Sequence, residues 1–225
     1  TATTDETFDV TVTPVVDLTA VDDSFSTDED LALAGDVSLN DGTSSGGGLS
    51  YAAATDVSHG TLVLNPGGSF TYTPTGDYAG SDGFTYTVTD AASGESLTRT
   101  VTLTVDAVND EPTLTLGGNQ SVGYESGAHT VGGFASALPG GGVDEAGQTF
   151  IYNVSNDNNA LFSVQPTINA SGELSYTVAN GQSGTATVTV SVTDSGGTPN
   201  GGDDTSPDQT FTITVGTNTA PTISA

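Results

Sequence analysis

The stretch "FTYTVTDAASGESLTRTVTLTVDAVNDEP", residues 84–112, decides the fold. It contains two runs in which apolar residues alternate with polar ones, mostly threonine: Phe84, Tyr86 and Val88, then Val101, Leu103 and Val105. Successive side chains of a strand point to opposite faces, so each run reads as a strand with one buried and one wet face. The intervening "DAASGES" has turn composition. The second run stops at Asp106, and Asn109, Asp110 and Glu111 follow before Pro112. A strand that ends in crowded carboxylates is either entering a solvated linker or supplying oxygens to something they surround.

The same alternation recurs outward in both directions, and helical periodicity is hard to find. "TFDVTVTP" offers Phe8, Val10 and Val12, and "GSFTYTP" offers Phe70 and Tyr72. Further on, "TFIYNV" offers Phe150, Tyr152 and Val154, and "ELSYTV" offers Leu174, Tyr176 and Val178. "TATVTVSVTD" contributes Ala186, Val188, Val190 and Val192, and "TFTITV" contributes Phe211, Ile213 and Val215. Short half-buried strands separated by Gly, Asn and Asp turns indicate an all-β protein of antiparallel Ig-like sandwiches with Greek-key connections. The strands also repeat as a set. "GSFTYTP" at Gly68 is matched by "GELSYTV" at Gly172, and "FTYTVTD" ending at Asp90 by "VTVSVTD" ending at Asp194, at one common interval. Residues 1–16 read as the closing strand of a preceding repeat, 17–108 as one sandwich, 109–112 as a linker, 113–216 as a second sandwich, and 217–225 as the start of another repeat or linker. Linkers this short predict a rod-like array rather than tethered beads.

Composition narrows the partners. The 225 residues include 28 Asp plus Glu against a single Lys or Arg, for a net charge of −27. Nucleic acid and anionic membrane surfaces repel such a chain, and cations are its natural partners. Cys, Met and Trp are absent, which excludes disulfides, thiol chemistry and cysteine-ligated zinc. No apolar run approaches the ~20 residues that cross a bilayer as a helix. His59 and His129 lie in "VSHGT" and "GAHTV", outside any nucleophile or zinc spacing, so no catalytic constellation is expected.

"YTVTDAASGESLTRTVTLTVDAVNDEPTL" resembles the last third of a cadherin repeat, in which an Asp closes the penultimate strand and an Asp-x-Asn-Asp-Asn linker precedes a proline. "AVDDSFSTDEDLAL…LND…GTLVLNPGGSFTYTPTGDYAGSDGFTYTVTD" resembles the cadherin-like, bacterial Ig-like (VCBS-type) repeats of large Gram-negative RTX-type adhesins. "VDEAGQTF", "ALFSVQP" and "GGTPNGGDDTS…QTFTITV" resemble a sister repeat. The resemblance implies Ca2+ between repeats, type I secretion, an extracellular or cell-surface location, and a role in adhesion and biofilm formation. A monomer within a longer multi-repeat chain is expected.

Calcium takes six to eight hard oxygens from several segments. For the central joint, the resemblance and sandwich topology nominate Glu29, Asp77 and Asp82 from the first sandwich and Asp106, Asn109 and Asp110 from the linker. The second sandwich supplies Asp144, Glu145 and Asp194, with Asp203 and Asp204 on the following loop as further candidates. Asp17, Asp41 and Asp90, with Glu95, are the candidates for the first joint, which lacks ligands from a preceding repeat. At the last joint "TNTAP" has Asn218 and no acid, and Glu125 stands alone, so weak or absent calcium is expected there. Two other readings remain open. A sandwich face could bind a cell-surface glycan or protein, or the chain could be a spacer in a multimodular secreted enzyme.

Overall fold

The computed structural model describes residues 16–219. The strand expected within 1–16 and most of the segment 217–225 lie outside them. The chain divides between Asp106 and Ala107, so that residues 107–112 belong with the second unit.

In the first unit the strands are β1 (Leu18–Thr19), β2 (Asp23–Asp28), β3 (Leu33–Asp36), β4 (Gly42–Thr43), β5 (Leu49–Ala53), β6 (Gly60–Leu64), β7 (Ser69–Pro74), β8 (Gly80–Asp90) and β9 (Ser96–Asp106). One sheet has the order β2-β9-β8-β5 and the facing sheet β3-β7-β6, with β1 paired to β4. In the second unit β10 (Thr113–Leu116), β11 (Gln120–Val122), β12 (Ala128–Val131), β13 (Ala135–Leu138), β14 (Ile151–Asn156), β15 (Phe162–Ile168), β16 (Leu174–Val178), β17 (Gly184–Thr193) and β18 (Gln209–Val215) repeat the plan. Their sheets run β11-β18-β17-β14 and β12-β16-β15, with β10 paired to β13. The two units therefore share one topology, strand for strand.

Pairing is antiparallel except for one parallel partner in each unit: β2 runs beside β9, with Asp28 opposite Asp106, and β11 beside β18. Alternation along a strand reports which face is buried and is silent about a neighbour's direction, so the sequence pattern could not show these pairs.

Each unit has its own core. In the first, Phe84, Tyr86 and Val88 of β8 and Val101, Leu103 and Val105 of β9 face Phe70 and Tyr72 of β7. Phe70 meets Phe25 and Phe84 edge to face, with centroids 5.0 and 5.5 Å apart. Gly35 of β3 admits that stack, because a Cβ there would lie 2.4 Å from the Phe70 ring. In the second unit Val188, Val190 and Val192 of β17 and Phe211 and Ile213 of β18 cover Leu174 and Tyr176 of β16. Phe150, Tyr152 and Val154 are only partly buried against this core, while Ile151 is exposed.

Because Phe84 is 2% exposed and sits inside the aromatic stack, Phe84→Ala is expected to destabilise the first unit by about 3–5 kcal/mol. Urea denaturation followed by tyrosine fluorescence measures this.

Candidate metal centre

The second unit gathers its acids where the linker enters. Asn109 is held from three sides: its Nδ2 donates to Asp194 Oδ1 (3.1 Å) and to the Asp203 carbonyl (2.8 Å), and its Oδ1 accepts from Gln148 Nε2 (2.6 Å). Its own carbonyl accepts from the Asp203 N–H (2.9 Å), which docks the 195–208 loop against the linker. One residue on, the Asp110 N–H donates to Glu145 Oε1 (2.7 Å), while Glu145 Oε2 accepts from the Gly141 N–H (2.7 Å). Glu145 and Asp194 are 3% and 7% exposed, which is unusual for carboxylates.

Two glycines permit this approach. A Cβ on Gly196 would lie 1.7 Å from Asn109 Oδ1, and one on Gly141 would lie 2.5 Å from Asp110 Oδ2. Beside the clamped linker lies a cavity of about 170 Å³, lined among others by Asn109, Asp144, Glu145, Gln148 and Gly196. Asp144 is exposed on the short 3-10 turn Val143–Glu145. Asp194 Oδ1 accepts from Asn109 Nδ2 and from the Gly196 N–H (2.9 Å), but Asp194 Oδ2 is buried without a hydrogen-bond partner, as is Gln148 Oε1. A desolvated carboxylate oxygen left in that state costs roughly 1–3 kcal/mol or more. All of these donors are hard oxygens, the set that suits calcium rather than zinc or copper.

The sequence-predicted residues fall into distinct situations. Asn109, Asp110, Glu145 and Asp194 come together at this end of the second unit, with Asp144 on the cavity wall. Asp203 and Asp204 contribute backbone there rather than carboxylate: the Asp203 carbonyl and N–H grip Asn109, and the Asp204 carbonyl accepts from the Asp194 N–H. Gln148 and the glycines were not singled out from sequence. Gln148 lies inside the quoted "VDEAGQTF", but it carries no charge to attract notice.

In the first unit Glu29 is buried at the end of β2, and its N–H donates to the Asp106 carbonyl (2.9 Å), joining the start of the fold to its last strand. Asp30 and Asp77 are exposed and take left-handed φ values of 58° and 56°, with carboxylate oxygens within 4.8 Å of each other. The Asp77 N–H donates to Asp30 Oδ1 (3.2 Å). Asp82 is engaged within its own unit: it accepts from the N–H groups of Ser58, His59 and Gly83 and from the Tyr72 hydroxyl. Burial works against its charge, but these donors outweigh it and hold the carboxyl below the ordinary aspartate value.

The acids assigned to the first joint also separate. Asp90 is fully buried, and its Oδ2 accepts from the Ser45 hydroxyl (2.6 Å) and from that of Thr43, while Oδ1 accepts from the Ala92 N–H (2.8 Å). Those donors hold its carboxyl well below the usual carboxylate range. Glu95 Oε2 accepts from the N–H groups of Asp17 and Leu18, and the Asp17 carboxylate accepts from the Ser44 hydroxyl. Asp41 lies elsewhere, beside Asp23 and Tyr86. At the other end of the second unit, Glu125 Oε1 accepts from the Gly181 N–H (3.2 Å).

Residues 13–107 match the family model of the bacterial cadherin-like domain. Among solved structures, the described fold is similar to human protocadherin-24 EC1-2, with a TM-score of 0.64 at 16% identity over 90% of this chain and 100% of that one. It is also similar to Drosophila N-cadherin EC1-4, with a TM-score of 0.52 at 17% identity over 76% of this chain and 42% of that one. These likenesses establish a cadherin-like β-sandwich fold. Among curated proteins none matches the chain. Among the described residues no helix is long and apolar enough to cross a membrane.

Asp90 generates a pH prediction. Its carboxyl is lowered in the folded state, so its contribution to stability is complete above the unfolded aspartate value of about 3.9 and is lost as pH falls below it. Asp90→Asn should therefore destabilise the first unit at neutral pH, and its deficit relative to the parent should shrink below about pH 4. Melting temperatures of both proteins across an acid series test this.

Proposed function

We propose that the chain is a calcium-stabilised extender segment of a large secreted or cell-surface adhesin, which projects a binding region away from the cell. The observation that carries this reading is the buried, unpartnered Asp194 Oδ2, set beside a linker that is itself clamped to the second unit. Asp194, Asp144, Glu145 and the Asn109–Asp110 linker would hold the ion, with the Gln148 side-chain oxygen near it. When bound, calcium supplies positive charge to carboxylates that have almost no organic cation to pair with. The protein's part is positional. Glycines at 141 and 196 let the linker lie against the loops, Gln148 orients the Asn109 amide, and Glu145 fixes the Asp110 backbone.

The first unit contributes a comparable device of its own. The contact between the Glu29 N–H and the Asp106 carbonyl ties the last residue of β9 to buried Glu29, next to the exposed Asp30–Asp77 pair. A linker seated on the second unit through Asn109 and Asp110 is what a spacer needs at that end. The bacterial cadherin-like match and the acidic composition support an extracellular setting rich in calcium. Type I secretion, an RTX-type adhesin and a role in biofilm belong to the same proposal through the sequence resemblance.

Calcium at a hundred times its dissociation constant adds about 2.7 kcal/mol to the unit that binds it. For a unit of this size that corresponds to a rise in Tm on the order of 10 °C. Differential scanning calorimetry of the chain with calcium and then with EDTA should show this shift. Small-angle scattering should show a broader distance distribution after chelation. Asp194→Asn should lower calcium affinity about tenfold or more in isothermal titration, with the chain still folded in EDTA. Melting and scattering that ignore both calcium and EDTA would refute the proposal.

A further inference from the structure

The second unit carries a motif that its metal centre does not use. Asn-x-Ser, the acceptor pattern for N-linked sugar, occurs at Asn119–Ser121, Asn153–Ser155 and Asn169–Ser171. A motif this short is a weak signal by itself, so what the fold does with each copy decides. Transfer of a sugar needs an asparagine Nδ2 open to solvent and a hydroxyl two residues on that an enzyme can read together with the amide. It also needs a backbone outside a strand ladder, so that both groups enter one cleft. Exposed turns supply this and strands do not.

Asn169 meets every requirement. It opens the turn between β15 and β16 and, like Ala170 and Ser171, is exposed. Its Oδ1 accepts from the Ser171 N–H (3.0 Å), the Ser171 hydroxyl (2.8 Å) and the Glu173 N–H (3.0 Å). Two main-chain donors aimed at one atom fix it as the oxygen, so Nδ2 is the atom that faces away. Among the described residues that nitrogen donates to no group, and the Ser171 hydroxyl is already gathered against the amide that would react. The turn is anchored from its own backbone: the Asn169 N–H donates to the Glu173 carbonyl (3.1 Å) and the Gly172 N–H to the Asn169 carbonyl (2.8 Å). Ile168 and Leu174 on either side are buried. A bulky group on Asn169 Nδ2 therefore displaces no core side chain.

The other two copies are held in strands. Asn153 lies inside β14, its Nδ2 donates to Thr193 Oγ1 (2.9 Å), and Ser155 is paired opposite Thr189 of β17. Asn119 Oδ1 accepts from the Thr212 N–H (2.8 Å), and Ser121 sits in β11 opposite Thr214 of β18. Folding either serine back against its asparagine breaks ladder bonds. The first unit supplies an internal comparison. Its β6–β7 turn repeats the main-chain bonds, with the Asn65 N–H donating to the Ser69 carbonyl (2.9 Å) and the Gly68 N–H to the Asn65 carbonyl (2.9 Å). There Pro66 and Gly67 follow the asparagine, and its Nδ2 donates to Ser69 Oγ (3.1 Å). The same turn thus forms without the motif, so turn geometry does not by itself dictate Ala170 and Ser171.

We propose that Asn169 is an acceptor for N-linked sugar, the one of the three that the folded chain presents to a glycosyltransferase. The co-substrate is a sugar activated through an anomeric phosphate. The bond from the anomeric carbon to Nδ2 forms as its bond to the phosphate oxygen breaks. The phosphate leaves with the electron pair, an Nδ2 proton passes to a base of the transferase, and nothing is oxidised or reduced. The product keeps the Asn169 Oδ1 bonds and adds no charge.

The test uses a sequon-specific N-glycosyltransferase that modifies all three motifs at similar rates as synthetic peptides. The folded full chain is incubated with it and UDP-glucose, and the modified asparagine is mapped over time by peptide mass spectrometry. Asn169 should take one hexose about tenfold or more faster than Asn119 or Asn153, whose strands must first open. Ser171→Ala should abolish transfer at Asn169, and Ser171→Thr should retain it. Asn169→Asp keeps an oxygen for the turn donors and should remove this modification from a chain that still folds. No transfer to Asn169 in the folded chain, equal rates at the three asparagines, or transfer that survives Ser171→Ala would each overturn the proposal.

Discussion

Carboxylates in this protein have almost no cationic side chain to pair with, so each must find backbone N–H groups, hydroxyls or an ion from solution. The 28 acids face one guanidinium, and that guanidinium is committed to main-chain carbonyls. Repulsion among like charges opposes the compact state unless local donors offset it. The fold sorts its acids accordingly. Asp82 and Asp90 are saturated by N–H and O–H donors, and their charged forms are favoured. Asp194, with Gln148 beside it, keeps a buried oxygen that has no hydrogen-bond partner in the protein. The first group belongs to the fold, and the second is where an ion would change the energy.

Duplication makes the sorting visible. Asp90 and Asp194 close equivalent strands, β8 and β17, of sandwiches with the same strand order. Around Asp90 the loop "GTSS" supplies the Thr43 and Ser45 hydroxyls, and both carboxylate oxygens are filled. Around Asp194 the neighbours are Asn109 and Gly196, which serve Oδ1 and leave Oδ2 unserved. One position in one architecture thus becomes a structural cap or a candidate ligand, according to whether the adjacent loop carries hydroxyls. This contrast singles out the end of the second unit nearer the linker, and it does so without reference to any relative.

The strands, their buried faces and the repeat were legible because alternation is a direct record of which side of a sheet meets the core. Phe84, Tyr86, Val101 and Leu103 are buried as their spacing requires. The parallel pairs β2–β9 and β11–β18 were not legible, since they depend on where a distant strand docks. The acids were legible as a set but not as individuals. "TGDYAGSDGF" offers Asp77 and Asp82 as equals, yet Asp82 turns inward to the Ser58 and His59 N–H groups while Asp77 sits exposed in a left-handed turn. Charge can be counted in a sequence, whereas the direction of the N–H groups around it is set only when loops from other strands arrive. For the same reason Gln148 escaped notice, and Asp203 proved to act through its backbone.

Separating acids from cores has a consequence for how such a module can work. The apolar cluster around Val190 contains none of Asn109, Asp144, Glu145, Gln148 and Asp194, so an ion among those residues would add to a core that is already built. What an ion would change is the state of the connection, residues 107–110 against the second unit. Hydrogen bonds already pre-position it, through Asn109 and Glu145. Little conformational entropy therefore remains to be lost on binding, and more of the cation's attraction is available to hold the connection. Calcium bound as proposed would therefore act on a linker that is already seated, as the spacer reading requires.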